Sequence, residues 1–342
     1  MTKQTYMYRE IRETPDAVRK LLTEGREAIV SAAEDLRRTS PNFVSTVARG
    51  SSDHAATYFK YVSELALGIP VASIGPSIAS IYGAELNLGN SACIGISQSG
   101  QSPDIVRMNQ SATTQGALTI AITNEPNSPL ASACKHTIPI HAGAERSVAA
   151  TKTFVTSAVA GIALLAHWKQ DKAMIEAIDR LPEHLDNAVA IDWPALRHAL
   201  KDRDSLFVLG RGPSYAISNE AALKFKETCQ IHAESYSSAE VLHGPVSIVE
   251  PEYPVLALAS RDASEYSIAS VADKLSQQGA LCFITSNCAQ KAERLDFAKT
   301  SHPLTDPLSL IVSFYTFIER LAGERGINPD LPRNLKKVTE TV

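Results

Sequence analysis

The residues Ser97-Gln98-Ser99-Gly100-Gln101-Ser102-Pro103 place three hydroxyls, two amides and a glycine where an apolar run gives way to a helical pattern. That combination suits a phosphate. Hydroxyls and unpaired helix N–H groups donate to the oxyanion, and glycine lets the backbone come close. The plain alternative is an N-cap serine, Ser102, followed by proline at the first helical position, with no ligand. Capping needs one serine, however, not three. A second turn, Gly50-Ser51-Ser52, supplies two more hydroxyls at the end of a neighbouring strand-like run. Two such turns side by side favour a small phosphorylated ligand. Nucleotide motifs do not compete: GxxxxGK[ST] is absent, and Tyr215 stands where a dinucleotide fingerprint begun by Gly210-Arg211-Gly212 needs its third glycine.

A second group of candidates follows. Glu220, Lys224 and Glu227 fall at i, i+4 and i+7, and on spacing alone they read as a surface ladder of weak ion pairs. The next stretch weakens that reading. Ile231-His232-Ala233-Glu234-Ser235-Tyr236 and Glu240-Val241-Leu242-His243-Gly244-Pro245 gather two His, two Glu and a Tyr, expected as a loop, and titratable groups in a loop are more often functional. The tail Asn328-Pro329-Asp330-Leu331-Pro332-Arg333-Asn334-Leu335-Lys336-Lys337-Val338 reads on composition as a solvated terminus.

The elements that must position these residues repeat. Tyr8–Arg38 predicts one or two amphipathic helices. Strands are expected at Asn42–Ala48, Ala92–Ile96, Leu118–Ile122 and Thr137–Ile140, with helices over Asp53–Ala66 and from Pro103. The order returns with strands at Ser205–Leu209 and Val255–Ala259 and helices over Tyr215–Cys229 and Tyr266–Gln277. Such alternation implies parallel sheets covered on both faces. Ala48-Arg49-Gly50-Ser51-Ser52 matches Gly210-Arg211-Gly212-Pro213-Ser214 at an offset of 162, and Gln115-Gly116-Ala117-Leu118 is identical to Gln278-Gly279-Ala280-Leu281 at an offset of 163. Two matches in nearly one register predict a duplicated domain, with the linker in Lys169–Trp193.

The 342 residues suffice for about two domains, and 44% hydrophobic with 20% charged residues is ordinary globular composition. A net charge of −4 disfavours a nucleic-acid partner. Val155–Ala166 is too short for a membrane span and suits a buried helix. The start has no signal-peptide apolar region. Five scattered cysteines without CxxC spacing read as reduced thiols of a cytoplasmic protein, with neither a disulfide frame nor a metal site.

Taken in order, Ser97-Gln98-Ser99-Gly100, Ala221-Leu223-Lys224-Lys226-Glu227, Ile231-His232-Ala233-Glu234, His243-Gly244-Pro245 and Pro332-Arg333-Asn334-Leu335 resemble the isomerase half of the glucosamine-6-phosphate synthases, built from two SIS (sugar isomerase) domains. The resemblance runs from about Tyr8 to Lys337. It implies an α/β chain of two tandem flavodoxin-like parallel sheets with helices on both faces. The expected division is a helical segment at 1–38, SIS domains at 39–180 and 194–327, and a catalytic tail at 328–342.

The resemblance also implies roles. Ser52, Ser97, Gln98, Ser99 and Ser102 would hold the sugar phosphate, and Val148 and Ala150 would lie on the loop that contacts the sugar. Glu227 would move a proton between C1 and C2, and Lys224 would sit near the reacting oxygen or amine. His243 would assist ring opening from the partner subunit of a homodimer, and Lys337 would form a Schiff base with the ketose C2. Two positions depart from the family: Ala150 replaces a serine, and Lys336 replaces a small residue. No cofactor, metal, nucleic acid or membrane is expected.

The chain begins at the isomerase part, and its first cysteine is Cys93. A glutaminase domain with a cysteine nucleophile is therefore not expected. The same site without glutamine-derived ammonia would run toward ammonia release, as a glucosamine-6-phosphate deaminase giving fructose 6-phosphate. The rivals are a fructosamine-6-phosphate deglycase, an ammonia-dependent synthase or bare isomerase, and a non-enzymatic sugar-phosphate sensor.

Overall fold

In the computed structural model, which describes residues 4–337, ten strands form two five-stranded sheets. The first holds β1 (Val44–Val47), β2 (Val71–Ser73), β3 (Ala92–Ile96), β4 (Leu118–Thr123) and β5 (His136–Pro139) in the order β2-β1-β3-β4-β5. The second holds β6 (Ser205–Gly210), β7 (His232–Ser237), β8 (Pro254–Ala257), β9 (Leu281–Ile284) and β10 (Glu293–Arg294) in the order β10-β9-β8-β6-β7. Every pairing is parallel. Counted from its own first strand, each sheet has the flavodoxin-like order 2-1-3-4-5. The duplication legible in two short sequence matches is thus a duplication of topology.

The central strands β1, β3, β4 and β8 are buried along their whole length, as sheets covered on both faces require. Helix Lys152–Lys169 contains the Val155–Ala166 run and is buried at nearly every position. It packs against helix Ser51–Leu67, and a Cβ on Gly161 would stand 3.2 Å from the Phe59 ring, so glycine sets that approach. In the other half, helix Pro213–Cys229 packs on helix Asp306–Glu324, with Phe225 edge-on to Phe314 at 5.3 Å. No helix among the described residues is long and apolar enough to cross a membrane.

The chain divides into two compact units. One carries the first sheet and comprises Thr14–Glu145, Lys152–Asp179 and the residues from Lys336. The other carries the second sheet and comprises the residues up to Glu13, Arg146–Thr151 and Arg180–Leu335. The stretch expected to link the copies holds two short helices, Lys172–Asp179 and Leu181–Ala188. The extreme ends of the terminal segments, 1–3 and 338–342, lie outside the described residues.

One expectation fails. His232–Ser237 is not a loop but edge strand β7, paired with β6 from Ser205↔His232 to Gly210↔Ser237. Its inward positions carry the small residues Ala233 and Ser235, the latter bonded to Ser218 at 2.8 Å. A strand so polar shows no apolar alternation, and its backbone ladder supplies what its side chains do not advertise.

Candidate active site

In a 2-1-3-4-5 sheet the chain leaves the first and third strands in opposite directions, which opens a crevice at their carboxyl ends. In the first sheet those strands are β1 and β3, in register from Val44↔Ala92 to Val47↔Gly95. The residues that follow them are Arg49-Gly50-Ser51-Ser52 and Ser97–Ser102.

The first turn is set by Gly50 at φ +54°, and Ser52 N donates to Arg49 O at 3.1 Å. Helix Ser51–Leu67 begins there with no side-chain cap. In the second turn, Gly100 N donates to Ser97 Oγ at 3.1 Å and Gln101 N to Ser99 Oγ at 3.3 Å. Gln98 is half-buried, and its carbonyl accepts from Asn124 N at 3.1 Å. Gly100 sits at φ +61°, and a Cβ there would come within 2.1 Å of Ser128 Oγ, so no other residue fits. Ser102 occupies the N-cap position of helix Pro103–Thr114, but its side chain makes no capping bond. The capping alternative therefore has the right position and lacks the interaction that would explain the serine.

Arg49 ties the two turns together. Its Nε and Nη2 donate to Asp104 Oδ2 at 3.0 and 2.7 Å, and Asp104 is fully buried in the first turn of helix Pro103–Thr114. The Arg49 side chain remains 50% exposed. No spacing rule links residues 49 and 104, so the sequence carried no signal for this pair.

The same unit contains Lys337. Its Nζ donates to Glu145 Oε2 at 2.7 Å, and the Glu145 side chain is fully buried. Lys337 is thus held by its amine, while residues 333–336 just before it are exposed, as the solvated-terminus reading expects. Further back along the tail, the Asp330 carboxylate accepts from Tyr6 N at 2.6 Å and Met7 N at 2.9 Å, capping the first helix.

The second unit holds the remaining candidates. Glu220 and Lys224 are completely buried, and Glu227 keeps 17% of its side-chain exposure. Lys224 Nζ lies 2.9 Å from Glu220 Oε1 and 2.7 Å from Glu227 Oε2, while Tyr315 Oη donates to Glu220 at 3.1 Å. The surface-ladder reading is overturned. Helix Pro213–Cys229 is covered by β6, β7 and helix Asp306–Glu324, so its charged face points into protein. Burial acts to lower the Lys224 pKa, but the two carboxylates outweigh it and hold the ammonium above the ordinary lysine range.

His243 is exposed after the short 3-10 turn Glu240–Leu242 and is followed by Gly244 at φ +132°. Val148 and Ala150 are half-buried in segment 146–151. Glu10, itself buried, anchors that segment by accepting from Arg146 N and from Ser147 N, the latter at 3.2 Å. The described residues contain no cluster of three metal-ligating side chains. All five cysteines are free, and burial pushes the Cys93 thiol up to about 11 and Cys229 to about 12.

The SIS domain profile matches residues 41–167 and 199–318. The chain belongs to the SIS domain family. It is 31% identical over 340 residues to the isomerizing glutamine–fructose-6-phosphate aminotransferase of Methanothermobacter thermautotrophicus, covering 97% of this chain and 57% of that protein. The chain thus spans a little over half the length of the curated relatives it matches. Among solved structures, a Silicibacter pomeroyi chain assigned to the phosphosugar isomerases is 57% identical with a TM-score of 0.94, covering 96% of this chain and all of that one. The glucosamine-6-phosphate deaminase of Thermotoga maritima superposes with a TM-score of 0.78 at 21% identity, covering 98% of this chain and all of that one, a likeness of fold alone.

Proposed function

We propose that this SIS protein is an amino-sugar-phosphate deaminase, converting glucosamine 6-phosphate and water to fructose 6-phosphate and ammonia. The observation that carries the reading is the Lys337 amine, bonded to a buried carboxylate in the same unit as the hydroxyl-lined turns. An aldose–ketose isomerase needs a base at C1 and C2 and no amine; an imine-forming lysine adds exchange of nitrogen at C2.

Ser52, Ser97, Gln98, Ser99 and Ser102, with the helix N–H groups behind them, bind the phosphate. Val148 and Ala150 border the sugar. His243, contributed by the partner subunit of a homodimer, passes a proton to the ring oxygen as the ring opens. Glu227 takes the C2 proton and returns it at C1, through an enolamine, leaving a C2 ketimine. Lys224 donates to Glu227 at 2.7 Å and stands near the reacting nitrogen. The Lys337 amine displaces ammonia from the ketimine, and water then releases fructose 6-phosphate and the free lysine. The free cysteines suit a reducing, cytoplasmic setting.

The test is ammonia release from glucosamine 6-phosphate, with Glu227→Gln and Lys337→Ala alongside. Turnover lost in both variants is expected. No ammonia from any 2-amino-sugar phosphate would overturn the reading; turnover of a fructosamine 6-phosphate would then mark a deglycase, and sugar-phosphate binding without chemistry a sensor.

A further inference from the structure

Glu145 belongs to none of the residue patterns that point to a site, yet it meets the proposed Schiff-base lysine directly. We propose that Glu145 is the positioning residue and proton partner of Lys337: it seats the amine and accepts its proton when the amine attacks the sugar. This rests on the imine reading of Lys337.

The geometry is specific. Glu145 Oε2 accepts from Lys337 Nζ at 2.7 Å and from Thr153 Oγ1 at 2.6 Å, and Glu145 Oε1 accepts from Thr153 N at 3.1 Å. Thr153 lies in the first turn of helix Lys152–Lys169, so the carboxylate is clamped by the start of a buried helix on one side and by the tail lysine on the other. The neighbouring cation, Lys152, turns to the Ala144 carbonyl at 2.8 Å. The Glu145 side chain is fully buried, whereas Lys337 keeps 26% of its side-chain exposure. The carboxylate is therefore the fixed member of the pair, and the amine is the member with access to a substrate.

A latch for the tail would not need this arrangement. Burying a charge pair gains little over apolar packing of the same volume. Imine formation does need it, because an ammonium has no lone pair with which to attack. In the proposed step, a proton passes from Lys337 Nζ to Glu145 Oε2 and the freed lone pair forms a bond to C2 of the ketose. That proton returns from Glu145 to the C2 oxygen, and a second passes to the same oxygen from the nitrogen now bonded to C2. The C2–oxygen bond breaks as water leaves and the nitrogen lone pair closes the protonated imine. Carbonyl plus amine gives imine plus water, with no change of oxidation state.

The experiment traps the imine. The full chain is incubated with saturating fructose 6-phosphate and cyanoborohydride, and the rate of labelling at Lys337 is followed by peptide mass spectrometry. For Glu145→Gln, which keeps the side-chain shape, labelling is expected to slow by roughly a hundredfold, the usual scale for losing a proton acceptor. Its KM for the sugar phosphate should move by less than about threefold, since the phosphate-binding residues are untouched. Glu145→Asp, a carboxylate set one methylene back, should recover part of the rate. If Glu145→Gln does not fold, Glu145→Asp alone decides, with a tenfold slowing supporting the proposal and a wild-type rate overturning it. Wild-type labelling in a folded Glu145→Gln overturns the role of Glu145 and leaves the Lys337 imine standing. Absence of label at Lys337 in the wild type overturns both.

Discussion

The ammonium of Lys224 lies 2.7 Å from the Glu227 carboxylate, and the lysine has no exposed surface. The group proposed to take a proton from carbon therefore has a fully buried ammonium as its immediate neighbour.

Replacing Lys224 by Met leaves Glu220 buried and stripped of its cation. Removing one member of a buried pair costs about 3–5 kcal/mol, so urea unfolding of Lys224→Met should show a loss of that order. The double variant Glu220→Gln/Lys224→Met should recover part of it. A wild-type midpoint for the single variant would contradict the pairing.

Ser102 separates capping from ligand binding. An N-cap serine replaced by alanine ordinarily costs about 1 kcal/mol. Because Ser102 makes no capping bond, Ser102→Ala should melt within about 0.5 kcal/mol of wild type. Its sugar-phosphate KM should rise about tenfold, the worth of one hydrogen bond to a charged group. A stability loss with unchanged KM would return the residue to a capping role.

Gly100 is constrained twice, by φ +61° and by Ser128, whose Oγ would lie 2.1 Å from an added Cβ. Gly100→Ala should lose about 1–3 kcal/mol and most phosphate binding. Gly100→Ala/Ser128→Gly removes the clash while keeping the backbone strain, and should restore part of the stability in thermal melts.

Asp35 sets an acid limit. Its bonds to His136 at 2.8 Å and Lys135 at 3.0 Å, together with Arg38, hold its pKa down to about 2 from an ordinary 3.8, against the opposing effect of burial. A depressed carboxyl stabilises the folded form above its unfolded value. That contribution is complete above pH about 4 and disappears as pH falls toward 2. Acid titration of Asp35→Asn should lack this component, and an unchanged profile would exclude the residue as its source.

Much of the architecture was legible in residue order. Ala92–Ile96 reads as a strand and is one, and Pro103 opens a helix as its position predicts. Three of the four edge strands were less visible. β2 has three residues and β10 two, too few for a period to register, and β7 is too polar. The serine-lined turns were legible because their signal is local: glycine and serine at a strand-to-helix junction carry it within a few positions.

The sequence by itself determined two repeated α/β sheets and the hydroxyl turns at the end of the first, because hydrophobic period and turn chemistry act over a few residues. Only the tertiary structure decided which charges are buried and what faces them. Glu220, Lys224 and Glu227 have the spacing of a surface ladder and became an interior triplet when helix Asp306–Glu324 covered them. Arg49 meets Asp104 across 55 residues, and Lys337 meets Glu145 across 192. A charge's energy depends on its dielectric surroundings and its partner, and folding sets both from segments far apart in the chain.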